Sequence, residues 1–94
     1  MTKADIVNEI SKNTGIEKIT VQKTVEAFMD TIKVSLVKGK NVYLRGFGSF
    51  IVKKRAEKTA RNISKNTTII IAEHFIPAFK PAKTFVSKVK TNVK

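Results

Sequence analysis

Ile6, Val7 and Ile10 stand three and four residues apart near the start of the chain, the spacing of one helix face, and Thr2 with Asp5 three residues later makes a weak capping box. This first helix is expected to end between Asn13 and Gly15. A longer one is predicted from about Lys18 to Lys38, where Val21, Val25, Phe28, Met29, Ile32 and Leu36 recur at intervals of three and four. Gly39 stops it as a C′ residue, with Lys38 favourably placed at the negative end of the helix dipole. The stripe reads Phe28 and Met29 as core side chains.

Beyond Gly39 the period changes from 3.6 to two. Val42 and Leu44 alternate with Tyr43 and Arg45, Gly46-Phe47-Gly48 interrupts, and Phe50-Ile51-Val52 resumes an apolar strand pattern, which predicts a hairpin. The two glycines suit a tight turn or bulge; a phosphate-cradling loop is disfavoured because neither a helix pattern nor Gly-Lys-Ser/Thr follows. Residues 53–66 hold six basic side chains and one acid, with only Ala56, Ala60 and Ile63 to bury, so they cannot form a core. Thr67 to Ile71 then form a strong strand, and Pro77, Phe79 and Pro81 bring the chain back extended. A long two-stranded ribbon projecting from a compact base accommodates all of this, its turn near Ser64-Lys65-Asn66. A last helix, about Lys83 to Thr91, presents Phe85, Val86, Val89 and Val93 near one face. No repeat or Gly/Ser linker divides the chain, so the expected fold is one α+β domain.

At 94 residues the chain holds a single small core, and without cysteine it has neither disulfides nor thiolate metal ligands to support it. Oligomerisation is the expected substitute. No apolar signal run opens the chain and no stretch approaches the roughly 20 apolar residues of a membrane span, so a cytoplasmic location without membrane contact is expected. Charge then narrows the function. Of the net +12, residues 51–94 carry eleven Lys or Arg against two acids, and the first fifty residues eight against five. A basic half of this kind suits a polyanion.

Lys53, Lys54, Arg55, Lys58, Arg61 and Lys65 on an exposed ribbon fit phosphate oxygens, and two-stranded ribbons enter nucleic-acid grooves. The competing reading is a solvated charged face, which normally mixes signs, whereas this run has only Glu57 as counterweight. Lys80, Lys83, Lys88, Lys90 and Lys94 extend the positive surface onto the base, and Lys3 at the positive end of the first helix adds a further contact. Catalysis finds no support: His74 is the single histidine and reads as a strand or edge residue, and Ser49, Ser64 and Ser87 lack any base at motif spacing. Neither a metal site nor a cofactor is expected.

Gly46-Phe47-Gly48-Ser49-Phe50, Arg55-Ala56-Glu57-Lys58-Thr59-Ala60-Arg61-Asn62 and Ile76-Pro77-Ala78-Phe79-Lys80-Pro81-Ala82-Lys83 resemble, in order and spacing, the signature segments of the bacterial histone-like family that includes HU and integration host factor. The resemblance covers essentially the whole chain. It implies an intertwined dimer with a helical dimerisation base over residues 1–45, sheet and arm over about 46–80 and a C-terminal helix over about 83–91. It further implies arms that wrap double-stranded DNA through its minor groove and phosphate backbone and bend it, within the nucleoid. Carried over, Phe47, Phe50 and Phe79 are dimer-core residues, and Phe28 of the helix stripe is expected to join them. Lys53, Arg55, Lys58, Arg61 and Asn62 become arm contacts, with Ile63 at the wedge position; the charge pattern adds Lys54 and Lys65, and the expected DNA contacts also include Lys3, Arg45, Lys80 and Lys83. One departure bears on mechanism: where the family's arm reads Arg-Asn-Pro, with the proline as wedge, this chain has Arg61-Asn62-Ile63. Isoleucine is apolar and able to unstack a base step, but its mobile side chain costs more ordering entropy than a proline ring. Ala60 and Asn66 stand where the family commonly has glycine.

Non-enzymatic, architectural DNA binding by a homodimer is therefore the leading reading. A heterodimeric, site-preferring subunit like integration host factor is its nearest alternative, and RNA is a possible secondary ligand because phosphate attraction discriminates weakly. In a different class stands a structural protein-interaction module, favoured if nucleic acid failed to compete with acidic protein partners.

Overall fold

The computed structural model describes residues 1–62 and 67–93. Two helices, α1 (Lys3–Thr14) and α2 (Lys18–Val37), precede five strands: β1 (Val42–Leu44), β2 (Gly48–Arg55), β3 (Lys58–Asn62), β4 (Thr67–Ile71) and β5 (His74–Pro81); α3 (Lys83–Asn92) follows. The chain divides into two compact units, Met1–Ser35 and Leu36–Lys94. This is the expected α+β order, with helix limits within a residue or two of those read from periodicity.

In the first unit the Thr2–Asp5 pair closes both halves of a capping box. The Thr2 N–H donates to Asp5 Oδ2 at 2.9 Å and the Asp5 N–H to Thr2 Oγ1 at 3.4 Å, so donors that α1 cannot satisfy internally are satisfied locally. At the other end Gly15 takes φ 75° and donates to the Ser11 carbonyl at 2.9 Å. Val7, Val21 and Ile32 are buried. Phe28 and Met29 depart from the core reading: they stand on either side of the Val21–Ile32 line of α2 and remain 48% and 38% exposed. The helix stripe is wider than a single chain covers.

The second unit is built on an antiparallel sheet of order β1-β2-β5, with β3 and β4 forming a two-stranded sheet. Phe47 N–H donates to the Leu44 carbonyl at 3.0 Å across the β1–β2 turn, where Gly46 takes φ 81°. Gly48 serves a different purpose. A Cβ there would sit 2.6 Å from Phe79 Cζ and 2.7 Å from the Lys80 carbonyl oxygen, so only glycine lets β5 and its ring lie so close. Asn41 lengthens the β1–β2 pairing by accepting from the Val52 N–H at 3.0 Å through its side chain.

Register is unbroken along the ribbon. Gly48 lies opposite Pro81 and Arg55 opposite His74, and after a two-residue gap on each strand Lys58 lies opposite Ile71 and Asn62 opposite Thr67. Of the six cations expected on a single arm, Lys53, Lys54 and Arg55 belong to the three-stranded sheet and Lys58 and Arg61 to β3, while Lys65 lies outside the described residues. The expected turn at Ser64-Lys65-Asn66 lies outside the described residues.

Candidate nucleic-acid interface

Residues directly opposite in an antiparallel pair share a face, and the β2–β5 register sorts the side chains by chemistry. Phe50, Val52 and Lys54 with Phe79, Pro77 and Phe75 form one face; Ser49, Ile51, Lys53 and Arg55 with Lys80, Ala78, Ile76 and His74 form the other. The first face is aromatic. Phe50 and Phe79 centroids lie 4.9 Å apart, Phe47 lies 5.1 Å from Phe79, and Phe85 of α3 stacks on Phe47 at 5.7 Å and 18°. These rings fix α3 to the sheet, which turns the second face away from the cluster and leaves Lys53, Arg55, His74 and Lys80 exposed on it.

At the root of the ribbon that basic face opens into a cavity of about 460 Å³ lined by Tyr43, Arg45, Ser49, Lys80 and Lys83, with backbone at Gly46 and Gly48. Register explains the convergence: Tyr43 pairs with Ser49 and Ser49 with Lys80, so three polar side chains form a row across the sheet. Arg45 comes from the β1–β2 turn and Lys83 from the first turn of α3. Ala82, the N-cap of α3, supplies no capping side chain, so the helix start keeps backbone donors without a side-chain acceptor. Cations, hydroxyls and helix-start donors together suit an oxyanion such as a phosphodiester. Ser49 and Tyr43 were missed from the sequence because only the strand register places them beside Lys80.

Along the distal ribbon Lys58 pairs across from Ile71, and Arg61 and Asn62 take register positions opposite Thr68 and Thr67. Ile63 and Lys65 lie outside the described residues. Among the described residues, two of the expected contacts are already engaged within the chain: Lys54 Nζ meets Glu73 Oε1 at 2.8 Å, and Lys3 Nζ meets Glu26 Oε1 at 3.0 Å. Hydrogen bonds from Lys3 and then Gln22, with the Lys3 charge, hold the Glu26 carboxyl below its ordinary range. These pairs are exposed and screened, so an incoming polyanion competes with them at small cost. His74 opens β5 on the edge of its sheet, its Nδ1 2.8 Å from the Ala72 carbonyl oxygen, matching its reading as a strand or edge residue. The remaining aromatic, Phe28, lies in the helical unit.

The family model for bacterial DNA-binding proteins matches residues 1–90. The chain belongs to that family. Among its relatives, the DNA-binding protein HU of Thermotoga maritima is 37% identical over 90 residues, covering 96% of this chain and all of the relative. HU of Thermus thermophilus is 38% identical over 90 residues, covering 96% and 93%. In structure the chain is similar to Anabaena HU in a cocrystal with DNA, with a TM-score of 0.88, 28% identity and full coverage of both chains. Thermotoga maritima HU gives 0.69 at 28% identity, covering 95% and 98%. Family and fold thus agree with the resemblance read from the three signature segments.

Proposed function

We propose that this chain is an architectural, non-enzymatic double-stranded DNA-binding protein that acts as a homodimer, bending and compacting DNA in the nucleoid. The observation that carries the reading is the placement of Lys53, Arg55 and Lys80 on the face turned away from the aromatic cluster, continuing into the Arg45–Lys80–Lys83 cavity. DNA laid on that face meets phosphate-seeking groups at the root and along the ribbon, while the arm reaches into the minor groove. Lys53, Arg55, Lys58, Arg61, Asn62 and Lys65 act as ribbon contacts, Arg45, Lys80 and Lys83 as root contacts, and Ile63 as an apolar wedge. Lys3 and Lys54 contribute after exchanging their carboxylate partners for phosphate. The helical and sheet units work as one DNA-binding domain.

Dimer formation is supported by apolar surface that one chain leaves open. Phe47 and Phe79 are 45% and 40% exposed, and Phe79, Pro81, Phe85, Val86, Val89 and Val93 line a groove of about 510 Å³ with Lys90 as its charged member. Such a patch on a small soluble domain calls for a partner surface. A second copy fills it in this reading.

The test is a salt-controlled comparison of linear duplex, nicked or kinked duplex and RNA as ligands of the purified protein. Steep weakening of duplex binding between about 50 and 200 mM salt is expected, with tighter binding to duplex that is already deformable. Affinity independent of salt over that range would overturn the reading.

A further inference from the structure

Strand edges invite pairing with other chains, and among the described residues three of the four outer strands carry a feature that discourages it. β1 is three residues long, β5 contains Pro77, Lys80 and Pro81, and β3 carries Lys58 and Arg61. β4 has none of these. It runs Thr67-Thr68-Ile69-Ile70-Ile71 without charge, proline or glycine, and among the described residues it is paired on one side only, with β3. Ile70 is 66% and Ile71 42% exposed. This short β-branched run has the composition of a pairing strand.

We propose that β4 is a docking edge for β4 of a second copy of this chain, joining two arms antiparallel into a four-stranded sheet of order β3-β4-β4-β3. Charge selects the occupant. Each chain carries a net +12, so copies meet stably only where cations stay apart. Pairing through β3 would put Lys58 and Arg61 of both copies on strands about 4.8 Å apart. Pairing through β4 separates the two β3 strands by three strand spacings, about 14 Å. That exceeds the screening length of about 8 Å at physiological ionic strength. A two-fold axis at Ile69 sets Thr67 opposite Ile71 and Thr68 opposite Ile70, an uncharged match throughout. An acidic strand from another protein would gain more on the β3 edge, where the cations are. This edge shares no residue with the groove lined by Phe79, Val86 and Val89, so one chain presents both surfaces.

Sedimentation of the full chain without DNA, over a concentration series at two ionic strengths, tests this. An association step that doubles the mass and strengthens with added salt is expected, because salt screens the repulsion between the copies; DNA binding responds in the opposite direction. Ile70→Lys is expected to lose that step while keeping its cooperative melt, and Ile70→Val to keep the step. Step and body dimer separate by variant: Ile70→Lys removes the first, Phe47→Ala weakens the second, and loss of the dimer alone leaves an Ile70-sensitive doubling of whatever species remains. Association in Ile70→Lys equal to that of the unmodified chain, absence of any salt-strengthened doubling, or loss of the step in a folded Ile70→Val would overturn the proposal.

Discussion

Replacing Gly48 with alanine adds one methyl group where β2 lies close against Phe79 and the Lys80 carbonyl of β5. Its Cβ would lie 2.6 Å from Phe79 Cζ, 2.7 Å from Phe79 Cε1 and 2.7 Å from the Lys80 carbonyl oxygen. The ring cannot simply swing aside, because Phe47 and Phe50 hold it with centroids at 5.1 and 4.9 Å. Neither can the carbonyl, since Lys80 is held in register opposite Ser49. Overpacking of this kind costs about 1–3 kcal/mol, and the backbone oxygen among the clashing atoms places Gly48→Ala at about 2–3 kcal/mol. For a domain of this size that is a fall in melting temperature of roughly 10–20 °C. Gly46→Ala is the control: nothing lies within 4 Å of its Cβ, and the cost is confined to the left-handed backbone at φ 81°, about 1–2 kcal/mol. Thermal unfolding followed by circular dichroism measures both. A Gly48→Ala protein melting with the parent chain would refute the close approach of Phe79 that sets the β2–β5 packing.

Phe47→Ala is expected to cost about 3–5 kcal/mol, the range for a fully buried aromatic, since in the proposed dimer the partner covers the ring that is 45% exposed in one chain; melts at two protein concentrations check this, and a small, concentration-independent loss would argue against the dimer. Neutralising Lys53, Lys58 and Lys65 is expected to flatten the log K against log salt slope by about 0.9 for each phosphate that no longer meets a cation, measured by fluorescence anisotropy, without rearranging sequence preference. Ile63→Ala is expected to reduce DNA bending more than affinity, since the phosphate contacts survive, and Ile63→Pro to sharpen the bend; an unchanged bend in the alanine variant would exclude intercalation. Asp5 is held below its ordinary value by the Thr2 backbone N–H and then the Thr2 hydroxyl, so its folded value lies below its unfolded one. The stabilisation it gives α1 is therefore present above the ordinary aspartate value of about 3.9 and lost as pH falls below it, a loss that Asp5→Asn is expected to remove from an acid titration of stability.

The helices were legible because their limits are written in single residues: Thr2 and Asp5 open α1, Gly15 closes it, and Gly39 at φ 78° closes α2. The β1–β2 hairpin was equally plain from alternation and the two glycines. Three things were not. The gap between Arg55 and Lys58 lies in a run of polar residues with no periodicity to mark it, so the cations looked like one stretch. Convergence of Tyr43, Arg45, Ser49, Lys80 and Lys83 depends on strand register and on where α3 begins, both set by tertiary pairing. The exposure of Phe28 and Met29 has the same origin, because an apolar stripe does not say whether its own chain or another covers it.

Bending is the most direct test of the central claim, since a basic surface that only attracts phosphate would bind DNA without deforming it. Fluorescence energy transfer between dyes on the two ends of a short duplex reads the end-to-end distance as protein is added. The account predicts that transfer rises to a plateau at saturation and falls back when salt displaces the protein; unchanged transfer at saturating protein, with binding verified by anisotropy in the same sample, would contradict it.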